Sequence, residues 1–162
     1  MRAVGFKEFG DPEVLEVMDI PEVYASQGEI RIKNYASAVN PTDIVSRSGL
    51  IAQFRKDYPL PAVPGMDISG IVDQVGEGVE TGVSIGDQVM GMVIPNALHG
   101  AYSEQITLNQ FAVVKAPKGF SFVESATLPM NGLTARLSLD LLNLTKGPVS
   151  YTHLRAHETD SH

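Results

Sequence analysis

The chain has 162 residues, of which 43% are hydrophobic and 19% charged, a composition typical of a folded globular protein. Its formal net charge of −7, from 12 basic and 19 acidic residues, argues against nucleic acid or an anionic membrane as a partner. The absence of cysteine excludes disulfides, thiol nucleophiles and thiolate metal sites. Charged residues occur too early within residues 1–8 for a secretory apolar segment, so we expect a cytoplasmic protein.

Short β-strands separated by turns are predicted for most of residues 1–120. The alternating charged and apolar residues at 29–33 indicate a strand with one solvent-facing side. Further β-rich runs follow at 69–75, 87–93, 101–108 and 113–115, with glycine-containing turns between several of them. Strands at such short spacing predict a small barrel or sandwich.

Two helix starts are marked by their capping residues. Asn40 precedes a proline and an acidic residue, and Gly49 follows soon after, which predicts a short helix. Ser121 and Glu124 match a capping box, and Pro129 should end or bend the helix that they begin. Beyond it, leucines recur at helical spacing and are expected to pack in a core or against another domain: Leu133, Leu137, Leu141 and Leu144.

Residues 148–162 differ in character from the rest of the chain. They hold three of the four histidines and show no apolar stripe. His153 and His157 would share one face of a helix and could suggest a metal site. The run 149–159 instead resembles the translation of a sequencing-library adapter, so we interpret 148–162 as a non-native tail and leave it out of the fold.

Three groups of short motifs follow one another along residues 1–147: NPTD at 40–43 with RSG at 47–49; PGMDISG at 64–70 with VGEGV at 75–79 and GDQV at 86–89; and GAYSE at 100–104 with ATLP at 126–129 and GLTA at 132–135. Together they resemble the medium-chain dehydrogenase/reductase superfamily, on its quinone oxidoreductase side. The resemblance implies a mainly β fold with short helices, a GroES-like, partly open β-barrel, over 1–120. It also implies a helical connection over 121–147.

In that superfamily the connecting helix leads into a Rossmann domain that binds NADPH. Such a domain begins with an apolar strand and a glycine-rich turn, whose amides hold the pyrophosphate. This strand and turn are missing from the sequence, and the glycine run at 76–82 leads into another strand instead of a helix. We therefore expect an N-terminal fragment of a longer protein, by itself inactive, and the resemblance implies that the parent is a homodimer.

The resemblance also predicts that this branch is free of zinc. Zinc-dependent members place a cysteine in the region of Thr42 and a Gly-His-Glu where this chain has Gly65, Met66 and Asp67. A methionine does not replace an imidazole as a normal zinc ligand. Without a Lewis acid, the favoured hydride acceptors are quinones and α,β-unsaturated carbonyls, because conjugation spreads the incoming charge.

Few site residues carry over from the family. Asn40 matches an asparagine near the nicotinamide, and Thr134 matches a threonine that contacts the cofactor. Val45 stands where the family often has an aromatic residue, which puts an aromatic wall of the substrate site in doubt. Nothing in the sequence explains Arg136.

Several of these residues also have purely structural interpretations. Asn40 and Asp43 could simply cap a helix, with Asp43 the stronger case, and Thr134 could be an ordinary helix residue. Asp67 is expected to bind backbone amides in a turn. His99 is interpreted as an exposed loop residue, and Tyr102 as a barrel-packing residue.

The predicted function is that of an NADPH-dependent, zinc-free oxidoreductase that transfers hydride to quinones or enones. Two alternatives remain open at this point. One is an enoyl-thioester reductase of the same superfamily. The other is a GroES-like module that binds a partner and catalyses nothing, against which the apolar leucine stripe counts.

Overall fold

A computed structural model describes residues 1–53 and 59–142. Within them, a five-stranded antiparallel sheet has the order β6-β3-β4-β5-β7. Its strands are β3 (Glu29–Ser37), β4 (Asp67–Val75), β5 (Gln88–Met92), β6 (Gln105–Asn109) and β7 (Val113–Lys115). Only a single 3-10 turn, Gln110–Ala112, separates the two edge strands β6 and β7 along the chain. The sheet therefore curls into the partly open barrel that the sequence predicts.

A second, two-stranded sheet covers part of the barrel. It consists of β1 (Arg2–Gly5) and β2 (Glu16–Asp19), which pair antiparallel. Isolated bridges from Ala3 to Ser103 and from Phe6 to Ala62 join β1 to the rest of the fold. The apolar residues that pack beneath this sheet are Ala3, Met18, Ile20 and Val63.

The main core fills the interior of the curled sheet. Ile30 and Ile32 on β3 are completely buried, whereas Arg31 and Lys33 between and beside them reach solvent, as the alternating pattern predicts. The larger core cluster consists of Ile30, Ile32, Ile68, Val72, Val83, Val89, Val93, Ala101, Ile106, Leu108 and Val113.

Two of the three described helices follow the predicted capping signals. Helix α1 (Pro41–Arg47) begins after Asn40, and α2 (Phe122–Ala126) has the capping box of Ser121 and Glu124. Helix α2 packs on β3 through a stacked pair of Tyr35 and Phe122 rings, 4.7 Å apart. Helix α3 (Pro129–Leu142) starts at the proline that ends the preceding helical segment.

The leucine stripe of α3 does not lie in the core. Leu133, Leu137 and Leu141 are 42%, 53% and 87% exposed, so of the two expectations core packing is wrong for the described residues, and packing against another domain stays a prediction. Leu144 and the tail at 148–162 lie outside those residues. None of the described helices is long and apolar enough to span a membrane.

Gly70 gives a test of the sheet packing. A Cβ at this position of β4 would lie 2.1 Å from the Lys33 carbonyl oxygen of the neighbouring strand. We expect Gly70→Ala to lower the free energy of unfolding by about 1–3 kcal/mol, because the strands must move apart. Urea denaturation measures this change.

The matched control is Gly132→Ala on α3, where an added Cβ meets nothing within 4 Å and alanine favours the helix. It should not destabilise the chain. Equal stability of the Gly70→Ala variant and the unmodified chain would contradict the strand register.

Candidate active site

The candidate site lies where three segments meet: the start of α1, the segment 64–67 that enters β4, and the first turn of α3. Asn40 occupies the N-cap position of α1 and is 8% exposed. The carboxylates of Asp43 and Asp67 lie on either side of it and are 6% and 0% exposed. These three buried polar side chains form the framework of the site.

Asp43 joins α1 to the barrel. Its Oδ2 accepts a hydrogen bond of 2.8 Å from the Asn40 backbone N–H, and its Oδ1 accepts one of 2.9 Å from the Gly65 N–H. Gly65 has φ +99°, and a Cβ there would lie 2.5 Å from the Tyr102 ring, so glycine is required for this approach. Asp43 is therefore a structural residue, as its place in the first turn predicts.

Asp67 joins Asn40 to α3. One of its oxygens accepts a hydrogen bond of 2.7 Å from Asn40 Nδ2, and the other accepts one of 2.6 Å from the Met130 backbone N–H. The sequence predicts that Asp67 binds amides of a local turn. Its backbone partner is instead 63 residues away, and no motif around Asp67 indicates such a distant contact.

A cleft of about 190 Å³ opens beside this framework. The Thr42 hydroxyl donates a hydrogen bond of 3.1 Å to the Met66 Sδ at the cleft. A thioether is a weak acceptor, so this hydroxyl is available to a stronger acceptor such as a carbonyl oxygen. The cleft is lined by Thr42, Asp43, Ser46, Ile51, Met66, Ile94 and Pro95.

A larger groove of about 580 Å³ adjoins it through Ile94, which lines both. Its walls are mainly apolar and include Met90, Met92, Phe111, Val114 and Leu133. The two cavities together offer a polar end next to an extended apolar surface.

Thr134 lies on an exposed part of α3, four residues after Met130. Within the described part of the chain, no direct hydrogen bond joins it to Asn40. Asp67 links Asn40 to the Met130 amide, and Thr134 lies one helical turn beyond that amide.

Other residues singled out in the sequence have plainer roles. Arg136 forms an exposed ion pair of 2.9 Å with Asp140 on the same helix, which accounts for the arginine without a catalytic role. Val45 is 37% exposed on α1 and leaves that side of the helix without an aromatic ring.

The prediction that His99 is an exposed loop residue is wrong. The imidazole is half-buried and lines the apolar groove, and this burial lowers the pKa of His99. The loop from Asn96 to His99 folds back on itself through reciprocal backbone hydrogen bonds, which turns the ring inward. Polarity of the neighbouring residues alone did not reveal this.

The donor set does not favour a metal ion. Among the residues that the structure describes, no three histidine, aspartate, glutamate or cysteine side chains are grouped so that they could hold one. At the cleft, Thr42 and Met66 supply a hydroxyl and a thioether, which are poor ligands for Zn²⁺.

Tyr102 is a member of the site that sequence reasoning assigned only to barrel packing. Its hydroxyl lies 3.2 Å from Asp43 Oδ2, to which it donates a hydrogen bond. Burial raises the pKa of Tyr102, and the charges of Asp43 and Asp67 and the hydrogen bond to Asp43 raise it further. The pattern of a tyrosine after a small residue gave no signal of this bond.

The raised pKa predicts a pH dependence of folding stability. Below about pH 10 tyrosine is neutral in both the folded and the unfolded chain. Above it, the unfolded chain loses the Tyr102 proton first, so the folded state loses stability as pH rises. We expect Tyr102→Phe to weaken this alkaline loss, measured by urea denaturation at several pH values. Identical slopes for the two proteins would contradict the assignment.

The chain is similar to oxidoreductases over most of its length. It is 33% identical over 156 residues to the 2-methylene-furan-3-one reductase of Solanum lycopersicum, a match that covers 91% of this chain and 39% of the relative. The quinone oxidoreductase structure from Coxiella burnetii superimposes with a TM-score of 0.79 at 34% identity, covering 91% of this chain and 46% of that one. The Escherichia coli quinone oxidoreductase complexed with NADPH gives a TM-score of 0.71 at 30% identity, covering 86% and 40%.

The chain thus spans less than half the length of these relatives. The family model of the alcohol dehydrogenase GroES-like domain matches residues 26–132, which include β3 to β7, α1, α2 and the framework around Asn40. These matches confirm the resemblance to the quinone oxidoreductase side of the medium-chain dehydrogenase/reductase superfamily. The chain belongs to the alcohol dehydrogenase GroES-like domain family.

Proposed function

We propose that this chain is the substrate-side domain of a zinc-free oxidoreductase that reduces quinones or α,β-unsaturated carbonyls with NADPH. The observation that carries the proposal is the cleft beside Asn40, in which Thr42 donates its hydroxyl to the Met66 thioether. Thr42 and Met66 offer a hydrogen-bond donor and no strong metal ligand, and the Asp43 carboxylate that also lines the cleft already accepts from the Asn40 and Gly65 N–H groups.

The chemistry of the acceptor follows from that donor set. An isolated carbonyl that accepts hydride develops a concentrated alkoxide charge, which a Lewis acid stabilises well. A conjugated acceptor distributes the charge, so one hydroxyl donor at its oxygen gives useful stabilisation. The apolar groove that adjoins the cleft through Ile94 suits the ring or chain of such an acceptor.

The cofactor would supply the hydride, and this chain would hold only its nicotinamide end. Asn40 and Thr134 are the residues proposed to contact it. The pyrophosphate requires a glycine-rich turn between a parallel strand and a helix, whereas every ladder among the described strands is antiparallel. The role of the barrel in this proposal is to position the acceptor and to exclude water.

Four further expectations from the sequence stay predictions. They are the choice of NADPH over NADH, the homodimer, the cytoplasmic location and the division into 1–120, 121–147 and a non-native tail at 148–162.

The chain by itself should not bind NADPH or oxidise it. Because residues 1–53 and 59–142 offer no cradle for the pyrophosphate, purified 1–162 should show no saturable NADPH binding by calorimetry and no NADPH oxidation with quinones. Binding in the low-micromolar range would show that the cofactor is held by residues of this chain alone, and the proposed division of labour would be wrong.

The function itself is tested in the protein that the gene encodes. Sequencing the source DNA across the codons for Lys146 and Gly147 should reveal a continuing frame with an apolar strand and a glycine-rich turn. The protein expressed from that frame should oxidise NADPH with a quinone or an enone. We expect Asn40→Ala to lower its kcat/KM by about tenfold or more, because the hydride donor is then poorly oriented.

Val123→Ala is the matched control, since Val123 is 70% exposed on α2 and touches neither cavity. It should keep full activity. A longer protein that reduces neither class of acceptor, or an Asn40→Ala variant with unchanged kcat/KM, would refute the proposed function.

A further inference from the structure

Helix α3 lacks a cap of its own. The first N–H groups of a helix have no partner within it and are commonly satisfied by a side chain at the N-cap. Here the residue before the helix is Leu128, whose side chain cannot accept a hydrogen bond. The Met130 N–H donates instead to Asp67 Oδ1 at 2.6 Å. The cap is supplied by a different element, the first residue of β4.

Little else in the described structure holds this helix. None of its residues is buried, and residues 131–142 are all exposed. The hydrogen bond from Ser138 to Thr134 and the ion pair of Arg136 with Asp140 both lie within the helix, so they do not attach it to the barrel. The attachment is confined to the first turn, at Pro129, Met130 and Leu133, where Pro129 and Leu133 line the groove next to β5.

Asp67 is itself rigidly placed. It is completely buried and pairs with Met92 in the sheet. Within residues 1–53 and 59–142, it takes part in no ion pair. Its two oxygens accept from Asn40 Nδ2 and from the Met130 N–H, and the partial positive charge at the start of a helix stabilises a carboxylate. The carboxylate and the helix start therefore complement each other.

We propose that Asp67 is a positioning residue that caps α3 from the barrel, and that the same carboxylate sets the direction of α3 and the orientation of the Asn40 side chain. The cap on α3 is independent of the proposed function. Its consequence for the cofactor rests on that function, because Asn40 and Thr134 are cofactor residues only within it.

A small tilt of α3 at its first turn becomes a large displacement at its far end. The 14 residues of α3 span about 21 Å. A tilt of about 10° at Met130 would displace the end of the helix by about 4 Å over that length. Any domain that follows α3 would move with it, and loss of the Asp67 carboxylate would also remove the acceptor that orients the Asn40 amide.

Asp67→Asn removes the negative charge and one acceptor oxygen but keeps the shape of the side chain. Asn40 Nδ2 and the Met130 N–H bond different oxygens of Asp67, and asparagine replaces one of those oxygens with an NH2 donor, so the two bonds cannot both be kept in place. We expect the Met130 amide to exchange with solvent about tenfold to hundredfold faster in the variant. Nuclear magnetic resonance of the isotope-labelled full chain measures this exchange directly.

The same spectra report on the direction of α3. Residual dipolar couplings of residues 131–140 should fit one rigid orientation together with the sheet in the unmodified chain, and should no longer do so in Asp67→Asn. Amides in the core strands, such as those of Ile32 and Val89, should keep their positions. Glu124→Gln, which alters the capping box of α2, is the matched control and should leave α3 in place.

A folded Asp67→Asn chain with unchanged Met130 exchange and unchanged α3 couplings would overturn the proposal. If the variant does not fold, the Met130 exchange rate in the unmodified chain serves as the test. Exchange as fast as that of a free amide overturns the proposal, and slower exchange supports it. None of these measurements uses NADPH or a substrate. A result against the Asp67 cap therefore does not count against the proposed function, and a result against that function does not count against the cap.

Discussion

The fold around the site depends on a buried carboxylate that is neutralised by no cation among the described residues. Asp67 lies at the first position of β4 with no exposed surface, and only neutral N–H donors face its oxygens. A buried charge is costly unless its hydrogen bonds are satisfied, so both donors must stay in place. One of them belongs to Asn40 at the start of α1 and the other to the first turn of α3, and the carboxylate thus fixes two helices relative to the barrel.

The second carboxylate of the site, Asp43, adds further hydrogen bonds around Asn40. Asp43 holds the Asn40 backbone, the Gly65 amide and the Tyr102 hydroxyl, so Asn40 is held from both its backbone and its side chain. A side chain fixed in this way loses little entropy when a ligand binds. The adjoining cleft is different, because the weak bond from Thr42 to the Met66 sulfur is easily exchanged for a better one. A rigid framework beside a replaceable hydroxyl fits the proposed reduction of a conjugated carbonyl.

The sequence predicted those features that depend on local patterns. Alternation at 29–33 and the capping residues around Asn40 and Ser121 placed β3, α1 and α2 where the structure has them. The two N-terminal strands have only four residues each, too few for a periodic signal. The bond from Asp67 to Met130 spans 63 residues, and periodicity carries no information about such a contact. Helical spacing on α3 likewise identified an apolar stripe but not what would cover it.

In the proposed function, the cleft lined by Thr42 and Met66 receives a conjugated carbonyl without the help of a metal. The most direct measurement is a titration of the isotope-labelled chain with a water-soluble quinone and, separately, with Zn²⁺, followed by nuclear magnetic resonance. The quinone should shift the amide signals of Thr42, Met66 and Ile94, and Zn²⁺ should leave these three unchanged. Saturable Zn²⁺ shifts at Thr42 and Met66, or quinone shifts confined to surfaces remote from the cleft, would contradict the proposed function.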